Sequence, residues 1–243
     1  MAQFDFSAKS VLVTGGSSGI GLAIADGFAR SGADVAVTGT KPLAVDYPDD
    51  LGRFTYRQCD MTDRDQVEAL AAATDKLDVL VNNAGTNIRG PQAHAPETFE
   101  TLIDLHLNAV YRLTTRLAPK LIAGQGAVIN IASMTTYFGS PHAPGYGAAK
   151  AAVEQMTKTL AALWATDGVR VNAIAPGWIA TKLTGPVQNN EDFNRRILDR
   201  TPMDRWGEPT EMVGPVLFLA DNDAAGFVTG VTLPVDGGYS SAL

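Results

Sequence analysis

Ser10-Val11-Leu12-Val13-Thr14 runs straight into Gly15-Gly16-Ser17-Ser18-Gly19-Ile20-Gly21, and a helical pattern follows in which Leu22, Ile24, Ala25, Phe28 and Ala29 share one face. An apolar strand, a glycine-rich turn and a helix, in that order, are the context that gives a glycine motif meaning. The glycines let the backbone approach a pyrophosphate, and the helix N-terminus offers free N–H groups and a positive dipole end. Three glycines at these spacings serve no tight turn by themselves, so a purely steric reading is the weaker one.

Working outward, the next strand is Asp34 to Thr38, and it ends in Gly39-Thr40-Lys41. A carboxylate at that end would bind the ribose diol of NAD. None is present, which leaves room for a 2′-phosphate met by Thr40 and Lys41. Pro42 to Gly52 is polar and proline-broken, so it reads as a loop in place of a full crossover helix. Further strands are expected over Arg53–Cys59 (ended by Asp60), Leu77–Val81, Gly126–Ile131, Val169–Ala175 and Val231–Val235. Asn82-Asn83-Ala84-Gly85 follows the fourth strand. In open parallel sheets ligands sit at such strand ends.

Helices are expected over 63–73, 97–121, 146–166 and 211–219. The second is apolar on more than one face and contains Asn108, a mediocre helix former. Lys182 to Glu208 is long, polar and basic in patches at Arg195, Arg196, Arg200 and Arg205, which reads as a substrate-binding loop or lid. Alternating strands and helices along the whole length imply a doubly wound, Rossmann-type parallel α/β sheet of about seven strands. No repeat or linker divides residues 1–243, so one domain is expected.

Tyr146 and Lys150 lie one helical turn apart on one face. A phenol has a reference pKa of about 10, and a nearby ammonium favours the phenolate. A tyrosine tuned in this way exchanges a proton with a carbonyl or alcohol oxygen. Ser133, on the loop before the helix, is placed to hold that same oxygen. A surface Tyr and Lys four apart are common, so the pair needs the rest of the chain behind it.

The bulk composition excludes several functions. The 243 residues are 45% hydrophobic with a formal net charge of −7, and no long basic run exists to neutralise nucleic-acid phosphates. The single cysteine, Cys59, allows no intrachain disulfide and suits a reducing, cytoplasmic compartment. No signal peptide or membrane-spanning run is expected. Three His and one Cys, scattered, make a metal site improbable.

With these residues in place, the chain closely resembles the short-chain dehydrogenase/reductase family in its compact single-domain form. The likeness rests on Thr14-Gly15-x-x-x-Gly19-x-Gly21, Asp60, Asn82-Asn83-Ala84-Gly85, Asn108, Ser133, Tyr146-x-x-x-Lys150 and Pro176-Gly177, in this order. The resemblance implies Tyr146 as general acid/base and Ser133 as the group orienting the substrate oxygen. It implies that Lys150 lowers the Tyr146 pKa and holds the nicotinamide ribose. Asn108 would hold a water linking Lys150 to solvent. Gly15, Ser17, Ser18, Gly19, Ile20 and Gly21 would surround the cofactor phosphates, with Thr40 and Lys41 at the ribose. Asp60 and Met61 would cradle the adenine, and Asn83, Ala84 and Gly85 would line the adenosine ribose side. Pro176, Gly177, Ile179 and Thr181 would hold the nicotinamide.

Two departures bear on cofactor choice. Gly39-Thr40-Lys41 lacks the acid of NAD-preferring members, and Ser18 stands where many NADP-preferring members carry an arginine. NADP is favoured and NAD stays open. Asn130-Ile131-Ala132-Ser133-Met134 and Arg205-Trp206-Gly207-Glu208-Pro209 are similar to members acting on sugar acids and polyols. Tyr137, His142 and Trp178 are expected pocket walls.

The expected activity is hydride transfer between NAD(P)(H) and the carbonyl or alcohol carbon of a small substrate. The alternatives are a non-catalytic dinucleotide-binding regulator and methyl transfer from S-adenosylmethionine, neither of which needs Tyr146 and Lys150. Family resemblance further implies a homotetramer packed through the helices at 97–121 and 146–166.

Overall fold

A computed structural model describes residues 4–242. Seven parallel strands form one sheet in the order β3-β2-β1-β4-β5-β6-β7. They are β1 (Ser10–Val13), β2 (Asp34–Gly39), β3 (Thr55–Gln58), β4 (Val79–Asn82), β5 (Ala127–Ile131), β6 (Arg170–Pro176) and β7 (Thr232–Val235). β1 pairs with β2 on one side and β4 on the other, Val11 facing Val35 and Val79. The chain order reverses at that point, which opens a crevice beyond the carboxyl ends of β1 and β4.

The central strands β4, β5 and β6 are buried along their whole length because helices cover both faces. Successive side chains point to opposite faces, and β1 divides accordingly. Val11 and Val13 pack with Ile24 and Phe28 of α1 (Gly19–Arg30) and with Val216 of α8 (Val213–Ala220). Leu12 packs on the other face with Val67 of α2 (Arg64–Ala72), with Leu113 and Leu117 of α4 (Ala109–Ala123), and with Leu160 of α5 (Pro144–Trp164). Two further helices, α6 (Gly185–Gln188) and α7 (Glu191–Arg200), lie in the segment read from sequence as an irregular loop. α7 is ordinary helix by its own chemistry. Asn190 caps it by accepting from the Phe193 N–H at 3.0 Å, and Glu191 and Asp192 complement its dipole.

Three connections set up the site. Between β2 and β3 only a single 3-10 turn, Ala44–Asp46, replaces a crossover helix, as the proline-broken sequence implies. The helix expected over 97–121 is interrupted. It runs as α3 (Pro96–Ile103), one turn of π-helix (Asp104–Asn108) and then α4. α9 (Asn222–Ala225) follows α8, whose C-terminal carbonyls are capped from the sheet. Buried Arg170 donates to Leu219 O at 2.5 Å, Ala220 O at 3.0 Å and Asn222 Oδ1 at 2.7 Å. Those bonds satisfy acceptors that a helix end otherwise leaves open.

Candidate active site

The floor of the crevice is stapled together by side chains. Thr14 Oγ1 accepts the backbone N–H groups of Asn83 at 3.0 Å and Ala84 at 3.1 Å. Asn83 Nδ2 returns bonds to Thr14 O at 2.9 Å and Gly15 O at 3.1 Å, so the glycine turn and the turn after β4 are fixed to each other. Gly15 has φ +63°, and a Cβ there would lie 2.8 Å from Ala84 Cα, which leaves glycine as the fitting residue. Ser18, the N-cap of α1, makes no side-chain cap bond, and the first turn carries no acid. The N–H groups of that first turn therefore face the crevice without an internal partner, as an anionic ligand requires.

A cavity of about 570 Å³ opens there. Of the expected cofactor residues it brings together Gly15, Ser17, Ser18, Gly19, Ile20 and Gly21 with Thr40, Asp60 and Met61. It also reaches Asn83, Ala84, Gly85, Thr181, Tyr146 and Lys150. The glycine cradle, the free helix N-terminus and a lining that runs from the end of β2 to Tyr146 and Lys150 fit a dinucleotide. Four expected residues are elsewhere, one of them, Gly177, in the smaller cavity described below. Lys41 turns its ammonium onto Asp46 O at 2.5 Å and does not line the cavity. Pro176 is buried in β6, and Ile179 is 4% exposed and packs into the core, because both belong to the framework behind the site.

At the far end of the cavity α5 presents Tyr146 and Lys150. Lys150 is 5% exposed, its Nζ donates to Ile131 O at 2.6 Å and lies 5.6 Å from the Tyr146 ring centroid. Ser133 is buried two residues past β5, accepts the Thr135 N–H at 3.2 Å and lines a cavity together with Tyr146. Beneath them Asn82 Nδ2 donates to Asn130 Oδ1 at 2.8 Å and Thr114 Oγ1 at 2.9 Å. Asn130 Nδ2 donates to Thr157 Oγ1 at 2.9 Å. This satisfied network ties β4 and β5 to α4 and α5. Burial pulls the Lys150 ammonium down to about 7. The Tyr146-Lys150 spacing predicts a lowered Tyr146 pKa. Burial instead raises it, outweighing the neighbouring Ser133 hydroxyl and the positive charge of Arg89, both of which lower it. Desolvating a phenolate costs more here than these neighbours return.

Asn108 does not join this group. It is exposed and donates to Asp104 Oδ1 at 2.6 Å on the outer face of the helix. The π-turn directs His106 inward instead. That side chain is 2% exposed, lines the cavity and stands edge-on to Tyr146. Its Nε2 lies 2.6 Å from the Thr86 carbonyl oxygen, which accepts, so Nε2 carries the hydrogen and Nδ1 is a buried acceptor with no protein partner. Burial first, then the charge of Lys150, depress its pKa to about 3.

A second cavity of about 330 Å³ adjoins the first, and Tyr146 lines both. Ser133, Gly177, His142 and Trp178 line it, while Tyr137 does not and is 41% exposed. Three cations, Arg89, Arg196 and Arg200, also border it. Arg205 is engaged elsewhere, with Glu211 at 2.6 Å and 2.8 Å. Arg89 stacks over the Trp178 ring at 5.0 Å, and Arg200 lies 4.5 Å from the rings of both Phe138 and Tyr239. Trp178 Nε1, Arg200 Nε and Asn87 Oδ1, all on residues of this cavity, are buried without a partner. Arg89 and His106 were not among the sequence candidates. Neither sits in a motif, and only their inward placement singles them out. Among the described residues no cluster of His, Cys, Asp and Glu could hold a metal ion, and no helix is long and apolar enough to cross a membrane.

Residues 15–240 match the family model described as enoyl-(acyl carrier protein) reductase. The chain is 40% identical to the 2-dehydro-3-deoxy-D-gluconate 5-dehydrogenase of Pseudoalteromonas atlantica, over 98% of each chain. It is 35% identical to the gluconate 5-dehydrogenase of Gluconobacter oxydans, covering 99% of this chain and 98% of that one. The crystal structure of a gluconate 5-dehydrogenase from Burkholderia cenocepacia, in complex with NADP and tartrate, superposes with a TM-score of 0.89. The two share 33% identity, over 99% of this chain and 98% of that chain. Fold, glycine turn and relatives converge: this chain belongs to the short-chain dehydrogenase/reductase family and is an oxidoreductase.

Proposed function

We propose that the protein transfers a hydride between NADP and a secondary alcohol or ketone carbon of a small sugar acid, with Tyr146 exchanging the accompanying proton. The observation that carries this reading is the position of Tyr146, which lines both the glycine-floored cavity and a smaller, arginine-rimmed one. When bound, the nicotinamide supplies the hydride chemistry. The chain's residues supply the rest. Ser133 holds the substrate oxygen beside the Tyr146 hydroxyl, which takes the alcohol proton in oxidation and returns it in reduction. Lys150, anchored on Ile131 O, directs its remaining N–H donors toward the phenol and the nicotinamide ribose. Arg89 and Arg200 offer charge to a carboxylate, a pairing stronger than a neutral hydrogen bond. The gluconate and deoxygluconate dehydrogenases among its relatives favour the same substrate class.

The test is initial-rate kinetics with NADP and NAD over gluconate, ketodeoxygluconate and neutral polyols such as galactitol. NADP-linked turnover of a sugar acid is expected, and absence of turnover across that panel with both cofactors would remove the reading. The 182–208 segment acts in this proposal as the wall that closes over substrate, since α7 contributes Arg196 and Arg200. We further propose a cytoplasmic homotetramer. Phe99, Tyr111 and Leu163, on α3, α4 and α5, are large apolar side chains 42%, 52% and 61% exposed, which a partner copy would cover. A monomeric mass by light scattering would overturn that assembly.

A further inference from the structure

The loop that replaces the crossover helix between β2 and β3 does something specific at the crevice. Tyr47, just after its 3-10 turn, lines the large cavity together with Ser17, Gly39 and Thr40. A Cβ on Gly39 would collide with the Tyr47 hydroxyl and lie 3.0 Å from Ser17 Oγ, so two hydroxyls converge over this glycine. Lys41, whose position in sequence points to an anion, instead spends its ammonium on Asp46 O and stacks over the Tyr47 ring at 5.0 Å.

The donors around Tyr47 Oη restrict where its own O–H points. The Lys41 backbone N–H donates to Tyr47 Oη at 2.9 Å. The Tyr56 hydroxyl, 3.5 Å from Tyr47 Oη, has one proton, and that proton is spent on the Lys41 carbonyl oxygen. Burial and the neighbouring Tyr47 raise the Tyr56 pKa, so that proton stays in place. Tyr47 Oη is therefore an acceptor on its loop side, and its own O–H is able to turn to the cavity side that Ser17 and Thr40 also line. No carboxylate stands on Gly39-Thr40-Lys41 to accept it.

We propose that Tyr47 is a cofactor-specificity residue, its O–H joining Ser17 and Thr40 to bind the 2′-phosphate of NADP. This rests on the reading of the large cavity as the cofactor site. An oxyanion at the end of β2 meets three hydroxyls able to donate, with the Lys41 charge behind the Tyr47 ring. The ribose diol of NAD gains less, because a hydroxyl there finds no carboxylate to accept its proton.

The test is direct titration of NADPH and NADH with wild type, Tyr47→Phe and Tyr56→Phe, followed by tryptophan fluorescence and repeated with adenosine 2′,5′-bisphosphate against AMP. Tyr47→Phe is expected to weaken NADPH and the bisphosphate roughly tenfold, the range for one hydrogen bond to a charged group. NADH and AMP should stay within about twofold. Tyr56→Phe loosens the same loop without removing a donor from the cavity, and it should leave the NADPH/NADH ratio unchanged. An equal loss for both cofactors, no change, or the same NADPH-selective loss in Tyr56→Phe would each overturn the assignment to Tyr47. Failure of wild type to bind either nucleotide would instead remove the cofactor reading beneath it.

Discussion

The imidazole of His106 stands edge-on against the ring of Tyr146, centroids 5.1 Å apart and planes at 89°. His106 belongs to the π-turn, and Thr86 O fixes its tautomer. The ring therefore braces Tyr146 as a neutral group, with no charge of its own to titrate near neutrality. Its folded pKa of about 3 lies below the ordinary 6.5. Between those values the unfolded chain binds a proton that the folded chain refuses, so stability falls as pH drops through that window. The slope from this one residue is about 1.4 kcal/mol per pH unit. Thermal melts of wild type and His106→Phe from pH 7 to pH 4 should diverge, the variant losing less stability on acidification. Parallel curves would contradict a neutral buried His106.

Tyr146→Phe keeps the ring that His106 braces and removes only the hydroxyl. It should lower kcat by about 10²- to 10⁴-fold, the usual weight of a positioned acid/base. NADPH affinity should change little. Stopped-flow hydride transfer and fluorescence titration separate the two, and near-normal turnover would refute the role.

Lys150 titrates at about 7 in the folded protein because burial disfavours its ammonium. Its charge is thus present below about pH 7 and lost above it. Cofactor affinity of the wild type should weaken as pH rises through that point, and the step should vanish in Lys150→Met. Binding isotherms from pH 6 to pH 9 check this, and a pH-independent wild type would contradict it.

Arg89→Ala and Arg200→Ala should act on acids and spare neutral substrates. A charge-assisted hydrogen bond contributes about 1.5–3 kcal/mol, so KM for gluconate should rise at least about tenfold. KM for galactitol should move less than about threefold. Equal effects on both substrates would mean that the arginines shape the cavity without reading charge.

The seven strands, the glycine turn and Tyr146-Lys150 are legible in the sequence because each is local, whereas the order of the strands in the sheet is not. A run of apolar residues, a turn and a four-residue spacing carry their own geometry. Asn108 was misplaced because a residue type was read without its direction. A π-turn shifts which side chains of a helix face inward, and periodicity of 3.6 does not reveal it. Arg89 and Tyr47 escaped for another reason. Each sits on an irregular connection, where a side chain's target is set by the far end of the fold. The lowered phenol pKa failed since burial, a property of the whole assembly, outweighed the neighbour that spacing supplied.

The short connection between β2 and β3 has an engineering consequence. Of the three residues proposed to read the 2′-phosphate, Tyr47 lies within the eleven-residue stretch 42–52, which contains neither Tyr146 nor Lys150. Such a cassette can be exchanged to retrain the enzyme toward a different electron carrier, leaving its proton-handling half as it was.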